Sequence, residues 1–335
     1  MAKWYEDTGF QGDVVLSTRI RLARNIKGFP FPAKMNNEQC SEVINLIEEA
    51  LNAINYKFRK VVVNTLPVTE REKLVEGRYI SPDLAKKSQP CAVFISEDES
   101  VSIMVNEEDH LRMQSIFAGL ECRKAYDIIS KIDTYLAEKL NYSVHPKYGH
   151  LTSCLTNVGT GMRVSFMMHL PALCMSSAAE SMFAALGKIG ITVRGMYGEG
   201  TKASGYLFQI SNQMTLGPDE NEIIDRLSDA ANQVISKERE LRTSLLKSRG
   251  AALEDKLMRS YGIVREARLL SSDEMMSLFS DIRFAVSVGL IADIDTRTLN
   301  SLMVETSPAH LAVGGESAAK RDFQRAKIVR SRLGG

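Results

Sequence analysis

The chain has 335 residues, of which 44% are hydrophobic and 25% charged, a composition that predicts a globular protein of about two domains. Its 42 Lys and Arg residues are balanced by 41 Asp and Glu residues, so we expect no nucleic-acid partner and only a local anion site. The five cysteines include no C-x-x-C pair, which predicts neither a disulfide framework nor a protein-held metal site. No apolar run follows the N-terminus or reaches the ~18 residues of a membrane span, which predicts a cytoplasmic protein without membrane contact.

The first part of the chain predicts helices and strands in alternation. Glycines and prolines between residues 1 and 35 predict an irregular segment. A helix follows, because apolar residues from Val43 to Ile54 recur at about 3.6-residue spacing. The next predicted elements are strands at 60–63, 91–95 and 101–105, a helix at 125–140, a strand at 163–170, a helix at 176–188, and strands at 191–196 and 205–211.

The last part of the chain predicts helices only. A long helix opens at Pro218, followed by acidic residues that suit the positive end of a helix dipole. After Gly250 the apolar spacing is almost wholly helical. The sequence therefore predicts a mixed α+β domain over residues 1–245 and an α-helical domain over residues 246–335.

Five segments are richer in arginine, glutamate and glycine than an ordinary core or surface. They are 17–21 (STRIR), 106–112 (NEEDHLR), 154–163 (CLTNVGTGMR), 194–200 (RGMYGEG) and 321–326 (RDFQRA). The chain has no P-loop sequence and no H-R-D or D-F-G set of protein kinases. A phosphotransferase built on these segments would therefore use arginines where other enzymes use a P-loop lysine.

The arginines of the first four segments predict an anion site. On an extended segment Arg19 and Arg21 share one face, because side chains alternate along a strand. Two guanidinium groups on one face repel each other unless an anion lies between them, and a triphosphate is such an anion. Arg112, Arg163 and Arg194 would complete the site. For any one of these arginines alone, a solvated surface position is the better interpretation.

Carboxylates in the same segments predict a site for a guanidinium group. Glu107 and Glu108 follow an apolar strand and Glu199 lies in a glycine-rich turn; such carboxylates can hold a guanidinium and accept its proton. The alternative is that the adjacent glutamates form the acidic start of a helix. The loop 157–161 suits close backbone approach to phosphates, and Cys154 beside it is either a reactive thiol or a small buried hydrophobe.

Taken together, these motifs resemble the guanidino phosphotransferases (phosphagen kinases) over residues 14–245, in the order and spacing of that family. The resemblance implies an α+β catalytic domain with an antiparallel sheet flanked by helices, and it implies ATP with Mg²⁺ held mainly by the phosphates. It also implies Glu108 and Glu199 as guanidinium-orienting carboxylates, with Glu108 as the base, and Cys154 as the reactive cysteine. The implied ATP ligands are Ser17, Thr18, Arg19, Ile20, Arg21, Arg78, Arg112, Arg163, Val164, Ser165, Phe166, Met167, Arg194, Gly195, Met196, Tyr197, Gly198 and Glu199.

Within that family the resemblance is closest to the bacterial protein-arginine kinases. Small-molecule members carry a helical substrate domain before the catalytic one, whereas here the helical domain follows. Its R-D-x-x-R-A segment resembles a phosphoarginine-binding motif, which implies Arg321, Asp322 and Arg325 as ligands; a basic, solvated helix is the alternative. Two positions depart from the family pattern. Leu155 stands where the family usually has Pro, and Arg78 where related kinases commonly have an ATP-contacting His.

The resemblance therefore implies an enzyme that transfers the γ-phosphoryl group of ATP to arginine guanidinium groups in proteins, marking them for degradation or inactivating a heat-shock repressor. The implied partners are substrate proteins with exposed arginine, a zinc-binding activator protein, a heat-shock transcription repressor and a Clp-type protease, and a homodimer is compatible with it. Two alternatives remain open: a kinase of free arginine or another small guanidine, and a catalytically weak regulator that binds phosphoarginine.

Overall fold

The computed structural model describes residues 3–195, 204–312 and 315–334, which form an α+β fold. The strands are β1 (Val15–Arg24), β2 (Phe58–Val62), β3 (Ala92–Ser96), β4 (Val101–Val105), β5 (Leu111–Ala118), β6 (Val144–His145), β7 (Gly149–His150), β8 (Met162–His169), β9 (Ile191–Gly195) and β10 (Leu207–Asn212). The α-helices are α1 (Asn37–Asn52), α2 (Val68–Glu76), α3 (Pro82–Ala85), α4 (Cys122–Lys139), α5 (Pro171–Met175), α6 (Ala179–Lys188), α7 (Glu220–Glu266), α8 (Ser272–Ser287), α9 (Thr296–Glu305), α10 (Pro308–Leu311) and α11 (Ala318–Leu333). Short 3-10 turns occur at Pro32–Lys34, Val63–Thr65, Leu155–Asn157 and Ser204–Tyr206.

Eight of the described strands form one antiparallel sheet in the order β2-β3-β4-β5-β1-β8-β10-β9. Strand β1 lies near its centre, and its side chains alternate: Ile20 is buried in the core, whereas Arg19 and Arg21 lie on the opposite face. The segment 1–35, predicted to be irregular, therefore contains a central strand of 10 residues. The prediction was wrong because the glycines and prolines that interrupt the pattern lie outside β1.

The main core lies between one face of this sheet and helices α1, α4 and the first half of α7. Helix α1 begins with a capping box, in which Asn36 and Gln39 exchange hydrogen bonds between side chain and backbone. Its apolar stripe, which includes Val43 and Ile47, is buried against the sheet. These three helices cover one face of the sheet, and Arg19 and Arg21 of β1 lie on the other face.

The helices that follow α7 surround a second core, which includes Leu257, Phe279 and Ile282. Trp4 from the N-terminal part also belongs to this core, so the two parts of the chain pack on each other. Helix α7 runs for 47 residues but is interrupted at Gly250, where φ is 36° and ψ is −118°. The predicted division after residue 245 falls inside α7 shortly before this interruption, and it stays a prediction.

A buried ion pair on α7 joins the helix to the strand and helix that precede it. The fully buried carboxylate of Glu238 accepts hydrogen bonds from the backbone N–H groups of Ala172 (3.0 Å) and Leu173 (2.9 Å). Arg242 donates to Glu238 at 2.8 Å and to the carbonyl of His169 at 3.1 Å. Their mutual attraction and their hydrogen bonds offset the cost of removing both charges from water, and the pair orients α7 against the sheet.

The N-terminus of α7 is closed by a second capping box. The Asp219 carboxylate accepts from the N–H of Glu222 at 2.8 Å, and Glu222 accepts from the N–H of Asp219 at 3.3 Å. We expect Asp219→Ala to lower the free energy of unfolding by about 1 kcal/mol, because the cap and a favourable charge at the helix dipole are lost. Urea denaturation followed by circular dichroism measures this change.

The matched control for that experiment is Asp229→Ala, which removes an exposed carboxylate from the interior of the same helix. Its effect on the free energy of unfolding should stay within about 0.5 kcal/mol. Equal losses in the two variants would contradict the capping role of Asp219.

The other predicted elements agree with the structure in type. The helix predicted over 176–188 is α6 and begins only at Ala179, because Ser177 has a φ of 56° and separates it from the short helix α5, which lies before the predicted range. The sequence pattern does not predict β5, whose apolar run is interrupted by Arg112, Gln114 and Ser115. Across the described ranges, no helix combines the length and apolar character that a membrane crossing needs.

Candidate active site

Strands β1, β5 and β8 bring arginines from distant segments onto one face of the sheet, here called the arginine face. Arg21 lies directly opposite Arg163 of β8, and Arg19 lies opposite Ser165. Arg112 of β5 lies opposite Ala23, which is two positions after Arg21 and therefore on the same side of β1. Directly opposite residues of antiparallel strands point to the same side of a sheet, so the register itself gathers these side chains.

The guanidinium groups of the arginine face are crowded and partly buried. Burial, together with Arg78 and two other arginines, lowers the pKa of Arg19 to about 9. Burial and then neighbouring arginines also lower the pKa of Arg21 well below its usual range, and that of Arg163 in the same direction. The Nε atoms of Arg21 and Arg163 are buried and have no hydrogen-bond partner within the described part of the chain. A polyanion placed among these groups would relieve both the repulsion and the unpaired donors.

Arg78 and Arg194 lie at the rim of this face. The Arg78 guanidinium stacks 4.2 Å from the centre of the Trp4 ring, and its Nη1 donates to the Ser17 hydroxyl at 3.2 Å. Its predicted contact with adenine or a phosphate stays a prediction. Arg194 is exposed on β9, opposite Gln209. Gly195 is the last described residue of its motif, and the predicted ligands outside the described residues are Met196, Tyr197, Gly198 and Glu199.

Five predicted ATP ligands do not place their side chains among the arginines of this face. Ile20, Val164 and Phe166 are fully buried in the main core, because strand alternation turns them to the opposite side. Thr18 is also fully buried and donates to a backbone carbonyl. Met167 shares the side of the arginines but packs into the second core. These residues lie in the arginine-bearing strands without contributing side chains to the site.

The adjacent glutamates lie in a tight turn between β4 and β5 and not at the start of a helix. Glu107 is 2% exposed, and its Oε1 accepts hydrogen bonds from the Ser81 hydroxyl and from Arg112 Nη1, each at 2.5 Å. Burial by itself raises the pKa of Glu107, but Arg112 and Ser81 lower it overall. Glu107 therefore orients Arg112 from inside the protein, and it is not available to pair with Glu108 around a substrate.

Glu108, in contrast, is exposed and lines a cavity of about 120 Å³ together with Cys154. Partial burial, and then the charges of Asp109 and Glu107, raise the pKa of Glu108. A carboxylate with a raised pKa is a better proton acceptor near neutral pH. The other polar residues that line this cavity are Arg21, Arg112, Thr156, Asn157 and Arg163.

The buried carboxylate of Asp109, to which the motif alone gives no role, keeps Glu108 beside Cys154. Asp109 Oδ1 accepts hydrogen bonds from the side-chain amide of Asn25 (2.6 Å) and the backbone N–H of Ser153 (2.7 Å). The Ser153 hydroxyl donates to the carbonyl of Glu108 at 2.7 Å. The turn and the cysteine segment are thereby tied together. The sequence shows that Asp109 belongs to the motif, but it does not show that Asn25 and Ser153, from other segments, are its hydrogen-bond partners.

The loop that carries Cys154 returns to the sheet through a glycine. Cys154 is partly exposed, and its Sγ lies 3.0 Å from Thr156 Oγ1. Gly161 has a φ of +62°, and a Cβ there would lie 2.6 Å from Arg24 Nη1, so only glycine fits this close approach. Leu155 is 86% exposed, so the position where the family usually has Pro faces solvent.

A second cavity, of about 250 Å³, adjoins the first, because Arg21 and Arg112 line both. Arg19 and Gln114 add further donors to its wall. A chemical group transferred between a ligand in one cavity and a ligand in the other would therefore pass beside Arg21 and Arg112. Among the described residues, no cluster of three or more His, Cys, Asp or Glu could hold a metal ion.

The predicted phosphoarginine ligands on α11 are only partly accessible. Arg325 is 1% exposed, and its Nε donates to the carbonyl of Thr306 at 2.9 Å. Its Nη1 donates to the carbonyl of Leu270 (2.8 Å) and to Asp322 (2.6 Å). The predicted set of three ligands therefore needs correction: Arg325 binds the protein's own backbone, and Arg321 and Asp322 are the accessible members of the set.

The fold has solved counterparts. A lombricine kinase structure matches with a TM-score of 0.62 and 23% identity over 69% of this chain and 68% of that chain. The duplicated taurocyamine kinase from Schistosoma mansoni matches with a TM-score of 0.63 and 21% identity over 79% of this chain and 39% of that chain. Residues 41–241 match the family model of the ATP:guanido phosphotransferase C-terminal catalytic domain. The fold and the arginine face thus define a guanidino phosphotransferase.

Residues 250–335 match a second family model, the protein-arginine kinase McsB C-terminal domain. Among similar proteins, the protein-arginine kinase of Moorella thermoacetica is 43% identical over 100% of this chain and 98% of its own length, and that of Geobacillus sp. (strain WCH70) is 42% identical over 99% and 94%. The chain belongs to the protein-arginine kinase family. It is an ATP-using phosphotransferase that acts on arginine in protein substrates.

Proposed function

We propose that this enzyme binds the ATP phosphates on the arginine face and the acceptor guanidinium in the smaller cavity beside Glu108. The observation that carries this proposal is that Arg21 and Arg112 line both cavities. Phosphates in the larger cavity would lie against Arg19 and these two arginines. The γ-phosphoryl group would then stand between the nucleotide and the acceptor, as in-line transfer requires.

The proposed reaction needs one proton acceptor and several fixed positive charges. The acceptor nitrogen forms the N–P bond as the P–O bond to ADP breaks, and its proton passes to Glu108. Because the pKa of arginine exceeds ~12, proton transfer accompanies attack and does not precede it. Arg112, oriented by Glu107, stabilises the charge that develops on the phosphoryl oxygens. Mg²⁺, held chiefly by phosphates and waters, would supply further charge neutralisation.

The other residue assignments complete this proposal. Cys154 lies in the acceptor cavity, where its thiol would contact the guanidinium. Glu199, outside the described residues, is proposed as the second carboxylate that orients the acceptor. Arg194 and Arg78 are proposed as outer ligands of the nucleotide. These roles come from the family resemblance, and two of them are supported by the positions of Cys154 in the smaller cavity and Arg78 in the larger one.

The test is incubation with ATP and a protein substrate, followed by mass spectrometry under non-acidic conditions, because the P–N bond is acid-labile. We expect phosphorylated arginine on the protein, and slower transfer to free arginine supplied as the competing acceptor. Faster transfer to free arginine would favour a small-guanidine kinase. Absence of turnover with an intact fold would favour a phosphoarginine-binding regulator.

We further propose the downstream partners that the resemblance implies. They are a zinc-binding activator protein, a heat-shock transcription repressor as substrate, and a Clp-type protease that receives the marked proteins. A homodimer and a cytoplasmic location belong to the same proposal. These assignments rest on the family resemblance and not on contacts within this chain.

A phosphoarginine site on α11 remains part of the proposal, with Arg321 for the phosphate and Asp322 for the guanidinium. Asp322→Asn should weaken phosphoarginine binding by about tenfold or more, since one charge-assisted hydrogen bond is lost, and should leave inorganic phosphate binding unchanged. Calorimetry on the full chain measures both ligands. Asp273→Asn on α8, an exposed position, is the control. Equal affinity of the unmodified protein for phosphate and phosphoarginine would leave only a basic helix.

A further inference from the structure

One wall of the larger cavity is formed by the segment 75–83, which runs from the end of α2 into α3. The Ser81 hydroxyl of this segment donates to Glu107, the carboxylate that orients Arg112. Gln114, also on the cavity wall, donates its side-chain amide to the carbonyl of Arg78. A displacement of this segment would therefore change both the shape of the cavity and the position of its arginines.

The backbone of this wall has little freedom at the end of α2. Arg78 has a φ of 64°, a left-handed conformation that costs a non-glycine residue free energy and persists only where the surroundings impose it. At Gly77, immediately before it, an added Cβ would lie 2.5 Å from the Tyr79 ring. Helix α2 itself has no fully buried residue and no side-chain N-cap. Arg71 in the middle of α2 donates to backbone carbonyls on either side of the helix, and the contacts at the C-terminal end add to this anchor in positioning the wall.

The last residue of α2, Glu76, is bound by the C-terminal domain. Its Oε1 accepts a hydrogen bond from the N–H of Ala309 at 2.7 Å. Its Oε2 accepts from the N–H of His310 at 3.0 Å and lies 2.7 Å from the imidazole Nδ1 of the same residue. The carboxylate is 18% exposed, so water competes only in part for these bonds. Three contacts on one carboxylate thus join segments more than 230 residues apart.

The C-terminal side of this contact is itself held firmly. Ala309 and His310 belong to α10, and the carbonyl of Thr306, just before that helix, accepts the hydrogen bond from the buried Arg325. The connection therefore runs from α11 through α10 to Glu76, and from Glu76 through Gly77 to the cavity wall.

We propose that Glu76 is a positioning residue, through which the C-terminal domain holds the 75–83 wall of the nucleotide cavity and so raises the affinity for ATP. The inference rests on the proposed assignment of this cavity to the ATP phosphates. Glu76 touches neither substrate; it acts through the backbone that leads to Arg78. The C-terminal domain thereby becomes part of the nucleotide site without supplying a residue that lines the cavity.

The first test is steady-state kinetics of Glu76→Ala in the full chain. We expect the KM for ATP to rise about tenfold, while kcat and the KM for the protein acceptor change less than about threefold. Glu76→Gln should recover part of the loss, because its amide oxygen still accepts one N–H. His310→Ala should cost less than Glu76→Ala, because both backbone N–H donors remain. The control is Glu72→Ala, an exposed carboxylate one turn earlier on α2, which should leave the KM unchanged.

The second test is hydrogen exchange, which separates positioning from general stability. Glu76→Ala should speed exchange in residues 75–83 and 308–311 while the central strands stay protected. The double variant Glu76→Ala/His310→Ala should resemble Glu76→Ala, since the two residues act as one unit. If Glu76→Ala does not fold, hydrogen exchange in residues 75–83 and 308–311 is compared with that of the central strands in Glu76→Gln and His310→Ala instead.

Two results would overturn the proposal. One is a KM for ATP in Glu76→Ala equal to that of Glu72→Ala; the other is a lower melting temperature with an unchanged KM for ATP. Arg19→Lys, which alters an arginine of the larger cavity, separates the role of Glu76 from the assignment of that cavity. If Arg19→Lys raises the KM for ATP and Glu76→Ala does not, only the role of Glu76 is wrong. If neither variant changes the KM for ATP, the assignment of the larger cavity to ATP is wrong as well.

Discussion

Glu108→Gln is expected to lower kcat for transfer to protein by ~10²–10⁴-fold while the affinity for ATP stays within about twofold of the unmodified enzyme. The amide keeps the size and part of the hydrogen bonding of the carboxylate, but it cannot accept the proton released as the N–P bond forms. Glu108 lines the cavity with Cys154, and its carboxylate cannot donate a hydrogen bond to phosphate oxygens, so nucleotide binding should be spared. Stopped-time assays with a protein substrate, together with calorimetry for ATP, measure both quantities.

The pH dependence provides an independent check on the same residue. Partial burial and the neighbouring Asp109 and Glu107 charges raise the pKa of Glu108 above its usual value. Because only the ionised carboxylate accepts a proton, the rate should fall as the pH drops through this raised pKa. In Glu108→Gln that acidic limb should disappear from the profile. Glu97→Gln, which alters an exposed glutamate between β3 and β4, is the control and should leave the profile unchanged. Activity of Glu108→Gln within a fewfold of normal would remove Glu108 from the mechanism.

The second large effect is expected for Arg163→Lys, which should lower both ATP affinity and kcat, with a combined loss in kcat/KM of ~10²–10³-fold. Lysine keeps the formal charge but has no planar fork to bind two phosphate oxygens at once. Arg163 Nη2 already donates to Ser211 at 3.1 Å, while its buried Nε has no hydrogen-bond partner among the described residues. The substitution would lose the fixed orientation that the Ser211 contact provides.

The local electrostatics add to this loss. Burial and the nearby arginines lower the pKa of Arg163, and they would lower the pKa of a lysine at the same place from a lower starting value. Arg268→Lys, at an exposed position in the C-terminal domain, is the control. If both Lys variants keep normal constants for ATP, Arg163 is only a surface charge.

The local pattern of the sequence was sufficient for several features of this protein. Strand alternation puts Arg19 and Arg21 on one side, because that period is a property of the backbone and needs no partner strand. The same rule turns Ile20 away from them, although motif matching alone counted it as an ATP ligand. The helix that contains Val43 and Ile47 follows from apolar spacing, and the motif order identifies the guanidino phosphotransferase chemistry before any contact is known.

Only the tertiary structure decided which members of each motif are available to a ligand. Glu107 and Glu108 are neighbours of the same type, yet one is enclosed by Ser81 and Arg112 and the other is exposed. Likewise, Arg325 donates to backbone carbonyls of its own domain. Which of two neighbouring polar side chains is enclosed depends on segments far away in the chain, and composition and periodicity do not identify those segments.

The relation between the two domains was also beyond the sequence pattern. The contact of Glu76 with Ala309 and His310 joins segments that share no motif and no periodicity. The register that sets Arg21 opposite Arg163 likewise depends on strand order, which β1, β5 and β8 reach only when the sheet assembles. Local chemistry therefore determined what this protein can do, and long-range packing determined which side chains do it, because a side chain's charge is local whereas its accessibility is not.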